Sequence, residues 1–223
     1  MESKLIPILS QQLHTFTCPL DVFDTILSYN AKIDWNTIER RGKLTANSSK
    51  KSGKSYLSAS GSLTEEKDLN DLHQWINQCL NIVVSMTEWR KESIHELSVS
   101  QSWLNQSEIG DQHHRHTHAL SILSGILYLT DNSETKFYMP SIYNLNSSIL
   151  ASPEIYNVQH VHKGTKGELI IFPSTLEHSV DPNLEPYPRI TLSANSWFAG
   201  SAGIIGELAY VGPYDRELKG NQS

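Results

Sequence analysis

The reading of this chain turns on residues 103–128, WLNQSEIGDQHHRHTHALSILSGILY, at whose centre stand His116, Thr117 and His118. In an extended strand successive side chains point to opposite faces, so His116 and His118 project to one side together. Neutral imidazole is a good ligand for first-row divalent metals, and two from one strand supply two adjacent coordination positions. A third ligand has to come from elsewhere. The candidate is His178, delivered by GELIIFPSTLEHSV, where the apolar run 169–172 ends in a Pro-Ser turn. His114 shares the parity of His116 and His118, which leaves open a register two residues earlier, whereas His113 is expected to point away. Most histidines outside metal sites are surface groups or singly hydrogen-bonded, so the cluster HHRHTH gains weight only together with its downstream half. His160 and His162 form a second same-face pair, but with Lys163-Gly164 following and no third ligand in view they read as a hairpin end.

Composition bounds the rest. At 223 residues the chain is long enough for one well-buried domain, divided here into a helical support over 1–94 and a β core over 95–212. The hydrophobic 38% comes in strand-length blocks, and no run approaches the roughly 20 apolar residues of a membrane helix. No membrane association is expected. The N-terminus lacks the basic start and long apolar segment of a secretory signal, and Cys18 and Cys79 read as buried free thiols in a reducing compartment. A cytoplasmic setting follows. A net charge of −6 argues against nucleic acid as a partner, since a general nucleic-acid binder needs a basic field. Oligomeric state leaves no mark in the sequence.

In chain order, 5–16 reads as a first strand and 19–35 as a short helix opening with Pro19 and Asp21. The stretch 40–60, rich in Gly, Ser, Asn and Lys, reads as a loop. Ser62-Leu63-Thr64-Glu65 fits a capping box, and behind it Leu69, Leu72, Ile76, Leu80 and Val83 recur at helical spacing, a stripe suited to packing on a sheet. After Arg90 the period changes to two. Strands are expected at 112–122, 124–130, 136–143, 155–162, 168–172, 188–198 and 207–211. Two N-terminal helices leading into many short antiparallel strands indicate a mainly β jelly-roll barrel, the double-stranded β-helix.

Such a barrel is open at one end, where inward residues from facing strands meet. Ten residues after His178 comes a strand that presents Arg189, Thr191, Ser193 and Asn195 on one face and Ile190, Leu192 and Ala194 on the other. Arg189 offers a planar fork matched to a carboxylate, with the Thr191 hydroxyl as a further donor.

A histidine pair, a distant histidine, ten residues and Arg-x-Ser/Thr together resemble the Fe(II)/2-oxoglutarate-dependent oxygenases, which are built on the double-stranded β-helix. More narrowly, the set Trp103, Asn105, Gly110, His116, His118, Ser124, Gly125, Tyr128 and Leu129 is similar to oxygenases of phages and marine bacteria. With IFPSTLEH and RITLSAN the resemblance spans 103–195. It implies Fe(II) on His116, His118 and His178, and 2-oxoglutarate anchored by Arg189 with Thr191 and Tyr128. Asn105, Ser124 and Asn195 would support these from behind. O2 and 2-oxoglutarate would be consumed, releasing succinate and CO2, and a peptide or protein side chain such as proline, or a small metabolite, would be hydroxylated. The departure is His118, since the superfamily usually places Asp or Glu there; a neutral ring leaves the metal one unit more positive. Asp111 is an alternative carboxylate from the preceding turn.

The same residues also resemble the cupins, through Gly110-His116-His118 and Gly167-Pro173-His178. The glutamate expected of a cupin is replaced by Ile122 and Leu123, and a cupin has no use for Arg189 and Thr191. A metal-binding cupin or a three-histidine dioxygenase that does not use 2-oxoglutarate is therefore the second reading, and a non-catalytic barrel the third.

Overall fold

The period-two alternation read from residue 96 onward becomes two facing antiparallel sheets. The structure, a computed structural model, describes residues 12–38, 53–58, 61–86, 96–131, 133–138 and 159–200. In chain order its elements are β1 (His14–Thr17), α1 (Leu20–Ala31), β2 (Lys54–Tyr56), α2 (Asn70–Met86), β3 (Leu97–Ser107), β4 (His113–His116), β5 (Leu123–Tyr128), β6 (Ser133–Tyr138), β7 (Gln159–Gly164), β8 (Glu168–Pro173), β9 (His178–Val180) and β10 (Arg189–Phe198). The larger sheet has the order β1-β8-β5-β10-β3-β2 and the smaller β4-β9-β6-β7. This is the expected mainly β jelly-roll.

The alternation in β10 sorts its residues as the sequence indicates. Leu192 and Ala194 join the core under the helices, while Arg189, Thr191 and Ser193 line a cavity between the sheets. On β5 and β8 both faces are apolar, which accounts for the unbroken runs LSGILY and ELIIF. Leu123, Leu127, Leu169 and Ile171 face the helices, whereas Ile126, Tyr128, Ile170 and Phe172 face the smaller sheet. A sheet covered on both sides has no polar face to display.

The helices close the outer side of the larger sheet. Leu72, Ile76, Leu80 and Val83 of α2 are buried with Val22, Phe23 and Ile26 of α1 and with Leu97, Val99 and Leu104 of β3. Side-chain amides clamp helix to strand: Asn77 Oδ1 accepts the Val99 N–H at 2.8 Å, and Asn81 both accepts from Leu97 N–H and donates to Leu97 O at 2.9 Å. Cys18 and Cys79 lie buried here as free thiols, pushed by burial up to about 12.

Several element bounds differ from those expected. The capping box is not made. Ser62 contacts Ser102 Oγ at 3.1 Å, that hydroxyl accepts the Thr64 N–H at 2.8 Å, and two short 3-10 turns precede α2 because Glu66 is extended between them. α1 ends at Ala31 rather than at 35. Within 40–60, residues 54–56 are not loop but an edge strand on β3, recruited by pairing that a Ser-Lys-rich composition does not announce. The strand expected over 112–122 stops at His116, and that expected from 136 begins at Ser133. The expected strand 207–211, and the parts of others that fall in 5–11, 139–143 and 155–158, lie outside the described residues.

Gly164 shows how closely the two sheets approach. It ends β7 opposite Ser133, and a Cβ built on it would stand 2.4 Å from the Tyr128 ring. Only a missing side chain lets this aromatic lie flat against the strand. Gly164→Ala is expected to lower the unfolding free energy by about 1–3 kcal/mol, read from urea unfolding curves, because a packed ring has to move. An unchanged midpoint would mean that Tyr128 swings clear at no cost.

Candidate active site

Strand pairing assembles the histidines. β4 runs antiparallel to β9 with His116 directly opposite His178, and β6 places Phe137 on the other side of His178. The ring centroids of His116 and His178 are 4.4 Å apart, and His118 stacks on His178 at 5.0 Å with planes within 5°. One ligand atom from each of the three lies within 4.8 Å of the others. Among the described residues this is the group of His, Cys, Asp and Glu able to hold a metal ion.

Hydrogen bonds orient the rings for that task. Nδ1 of His178 donates to Leu176 O at 2.9 Å and Nδ1 of His116 to His114 O at 2.6 Å, which turns both Nε2 lone pairs toward the common point. His118 Nε2 stands 3.2 Å from His178 Nε2, and the Asn195 side chain hydrogen-bonds His118. Ser124 donates to Asn195 Oδ1 at 3.1 Å and is itself 2.8 Å from Ser174 Oγ, so the support behind His118 is buried and connected. Two imidazole nitrogens bound cis to one ion, at about 2.1 Å each, stand roughly 3.0–3.4 Å apart. The 3.2 Å separation fits a shared cation, and a donor set of three neutral imidazoles suits iron and zinc alike.

Strand parity explains only part of this. His118 lies beyond the end of β4 and is held by its backbone N–H donating to Ser174 O at 3.0 Å, so a turn and not the strand brings it to His116. A register irregularity between His113 and His116 also breaks the alternation. The result reverses the expectation for the earlier pair: His113 lines the cavity and His114 is exposed. Asp111 does not join the ligands. It is fully buried in the turn, where its carboxylate accepts the Glu108 N–H at 2.9 Å. His160 and His162 stay apart from the cup, His162 pairing with Glu168 at 3.2 Å.

From the three imidazoles a cavity of about 180 Å³ runs between the sheets. Its far end holds Arg189, 6% exposed, with one guanidinium nitrogen donating to Asp181 O at 3.0 Å. Thr191 is the next inward residue of β10 and pairs with Tyr128 across the sheet; Tyr128 Oη meets Thr135 Oγ1 at 2.8 Å. Asn105 donates to Ser193 at 3.0 Å and accepts from Ser55 at 2.8 Å, forming part of the wall. No Asp or Glu lines the cavity among the described residues. Sequence reading took His113 to point away and gave Ser133 and Thr135 no role in the site. For the last two the signal was present, because Ser133, Thr135 and Phe137 alternate inward, but the strand was expected to start three residues later. Trp103, part of the quoted motif without a role, stacks against His118 at 5.8 Å.

Burial in this apolar surround holds the rings neutral: His178 falls to about 3 and His118 and His113 to about 4, with neighbouring rings adding to the effect. The unfolded chain takes up these protons near pH 6.5, the folded chain only some units lower. Stability of the metal-free protein is therefore full above about pH 6.5 and is lost progressively as pH falls from there toward 4. Urea midpoints of chelator-treated protein between pH 7.5 and 4.5 should decline accordingly, with a shallower decline in His178→Gln. A flat profile down to pH 5 would show that the rings are solvated.

Comparison with known proteins gives the same direction as the geometry. Residues 101–195 match a family model described as "Putative 2OG-Fe(II) oxygenase". No curated protein matches the chain. Among solved structures, the non-heme alpha ketoglutarate dependent epimerase SnoN from nogalamycin biosynthesis superimposes with a TM-score of 0.61 at 12% identity, over 89% of this chain and 83% of that one. A Pseudomonas putida prolyl-4-hydroxylase gives 0.55 at 15% identity, over 85% and 92%. HygX from Streptomyces hygroscopicus, with nickel and 2-oxoglutarate bound, gives 0.54 at 8% identity, over 88% and 84%. At these identities the likeness is one of fold. The three histidines, Arg189 and the strands between them all fall within the stretch that matches the 2OG-Fe(II) oxygenase family, carried on a jelly-roll similar to those of solved oxygenases.

Proposed function

We propose that the protein is an Fe(II)- and 2-oxoglutarate-dependent hydroxylase. The observation that carries this reading is one cavity with three converging imidazoles at one end and a buried arginine at the other. His116, His118 and His178 hold the iron, which when bound supplies the redox centre that couples O2 and 2-oxoglutarate to oxidation of a substrate C–H bond. Arg189, with Thr191 and Tyr128, anchors the distal carboxylate of 2-oxoglutarate, and burial makes that charge-assisted bond strong. Asn195 and Ser124 keep His118 oriented, and Asn105 holds the wall through Ser193. No Asp or Glu lines the cavity among the described residues, although Asp181 and Asp111 interact with the Arg189 charge from outside it.

At about 180 Å³ the cavity is smaller than the roughly 300–1,000 Å³ of sites that enclose a ligand. It suits a small co-substrate, with the group to be hydroxylated approaching from the mouth past Trp103 and the more exposed His116. A side chain on a peptide or protein, such as proline, meets this geometry best. The prolyl-4-hydroxylase among the similar structures supports that choice, and HygX, also solved with nickel, 2-oxoglutarate and hygromycin B bound, supports a small molecule as the second. The third imidazole in place of a carboxylate favours a three-histidine metal centre independent of 2-oxoglutarate as the alternative activity.

The purified protein is expected to bind one equivalent of Fe(II), lost in His178→Ala, and to form succinate from 2-oxoglutarate under Fe(II), ascorbate and O2 above the level of that variant. Iron and 2-oxoglutarate binding without excess succinate would leave a binding protein. Arg189→Ala should keep its metal and bind 2-oxoglutarate at least about tenfold more weakly, roughly 1.4 kcal/mol, by calorimetry. Unchanged affinity in that variant would favour the centre that does not use 2-oxoglutarate.

A further inference from the structure

We propose that the Ser133 hydroxyl is a second anchor for the distal carboxylate, on the sheet opposite Arg189; this rests on the 2-oxoglutarate reading above. Ser133 is 2% exposed, lines the cavity, and its Oγ has no hydrogen-bond partner among the described residues. A buried hydroxyl without a partner is destabilising, so it marks a place where a ligand atom belongs. Among the described residues the other buried side-chain atom without a partner, Gln106 Oε1, belongs to a residue that does not line the cavity.

Register places this hydroxyl at the anion end. On β6 the inward residues are Ser133, Thr135 and Phe137, and Phe137 stands beside His178. Ser133 is therefore two inward positions away from the metal cup. β10 runs the same course, from Asn195 behind His118 to Arg189 as its first residue. Arg189 from the larger sheet and Ser133 from the smaller thus line the same end of the cavity. The next inward hydroxyl, Thr135 Oγ1, already has a partner in Tyr128 Oη at 2.8 Å, whereas Ser133 Oγ has none among the described residues. Gly164, opposite Ser133, admits the Tyr128 ring and leaves the serine hydroxyl no polar neighbour across the pair. A carboxylate has two oxygens: the Arg189 fork takes one side, and Ser133 donates to the other. Because Ser133 stands at a set distance from the cup, it also selects a five-carbon oxodiacid over shorter chelators.

The test uses Zn(II)-loaded full-length protein, in which nothing turns over, titrated with 2-oxoglutarate and with oxalate, which offers the chelating end without the distal arm. Ser133→Ala is expected to weaken 2-oxoglutarate about tenfold and leave oxalate within about twofold. Ser133→Cys, which keeps the volume with a poor donor, should fall on the side of alanine and guards against a folding defect in the smaller variant. Equal weakening of both ligands would assign Ser133 a structural role and overturn the proposal. Weakening of 2-oxoglutarate by Arg189→Ala but not by Ser133→Ala would overturn it while leaving the oxygenase reading intact. Failure of the unaltered protein to bind 2-oxoglutarate at all would overturn both.

Discussion

Three imidazole lone pairs are pointed at one another in a poorly solvated pocket, and much of this structure exists to keep them there. Nitrogens 3.2 Å apart on parallel rings repel unless a proton or a metal ion lies between them. Burial disfavours the proton, which leaves the metal as the partner that satisfies the arrangement. The opposition is enforced from behind by Leu176 O and His114 O, which tie up the other ring nitrogens, and by Asn195 and Ser124 behind His118. Aromatic neighbours pack against two of the rings, Phe137 and Phe172 against His178 and Trp103 against His118, while His116 stands on the exposed side. A metal then acts as a structural link between β4, β9 and the turn after β4 as well as a reaction centre.

The third imidazole changes the charge of the site. With a carboxylate in that position, iron and one anionic ligand would carry a single positive charge; with His118 the metal keeps both. Arg189 adds another, offset in part by Asp181 and Asp111, neither of which lines the cavity. A dianionic oxoacid is the natural complement of such a field. The same excess of positive charge raises the attraction for anions generally, so chain length and the number of donors at the far end, rather than charge alone, have to provide selectivity.

The larger sheet separates stability from chemistry. Its outer face is mainly apolar, with Ser102 bonded to Thr64, and packs on α1 and α2, while its inner face changes across the sheet from mainly apolar at β8 and β5 to polar at β10 and β3. Polar residues there brace one another, as Asn105 does with Ser193 and Ser55, which stiffens the wall. Rigidity of that kind is what holds a co-substrate at a set distance from a metal.

The sequence alone determined the two-sheet class, the helical stripe of α2, the two faces of β10 and the identity of all three clustered histidines. These are properties of periodicity and residue type, which a strand or helix expresses locally. It did not determine how the histidines meet. His118 reaches the cup from a turn rather than from the strand, and a break in register between His113 and His116 turns His113 inward and His114 out; pairing with β9 and capture by Ser174 decide both. The same holds for the strand hidden in 54–56, for Ser133 and Thr135, and for the capping serine that bonds to Ser102 instead of its own helix. Each depends on a partner distant in sequence, whose hydrogen bonds outweigh the local preference, and no local pattern encodes where that partner will be.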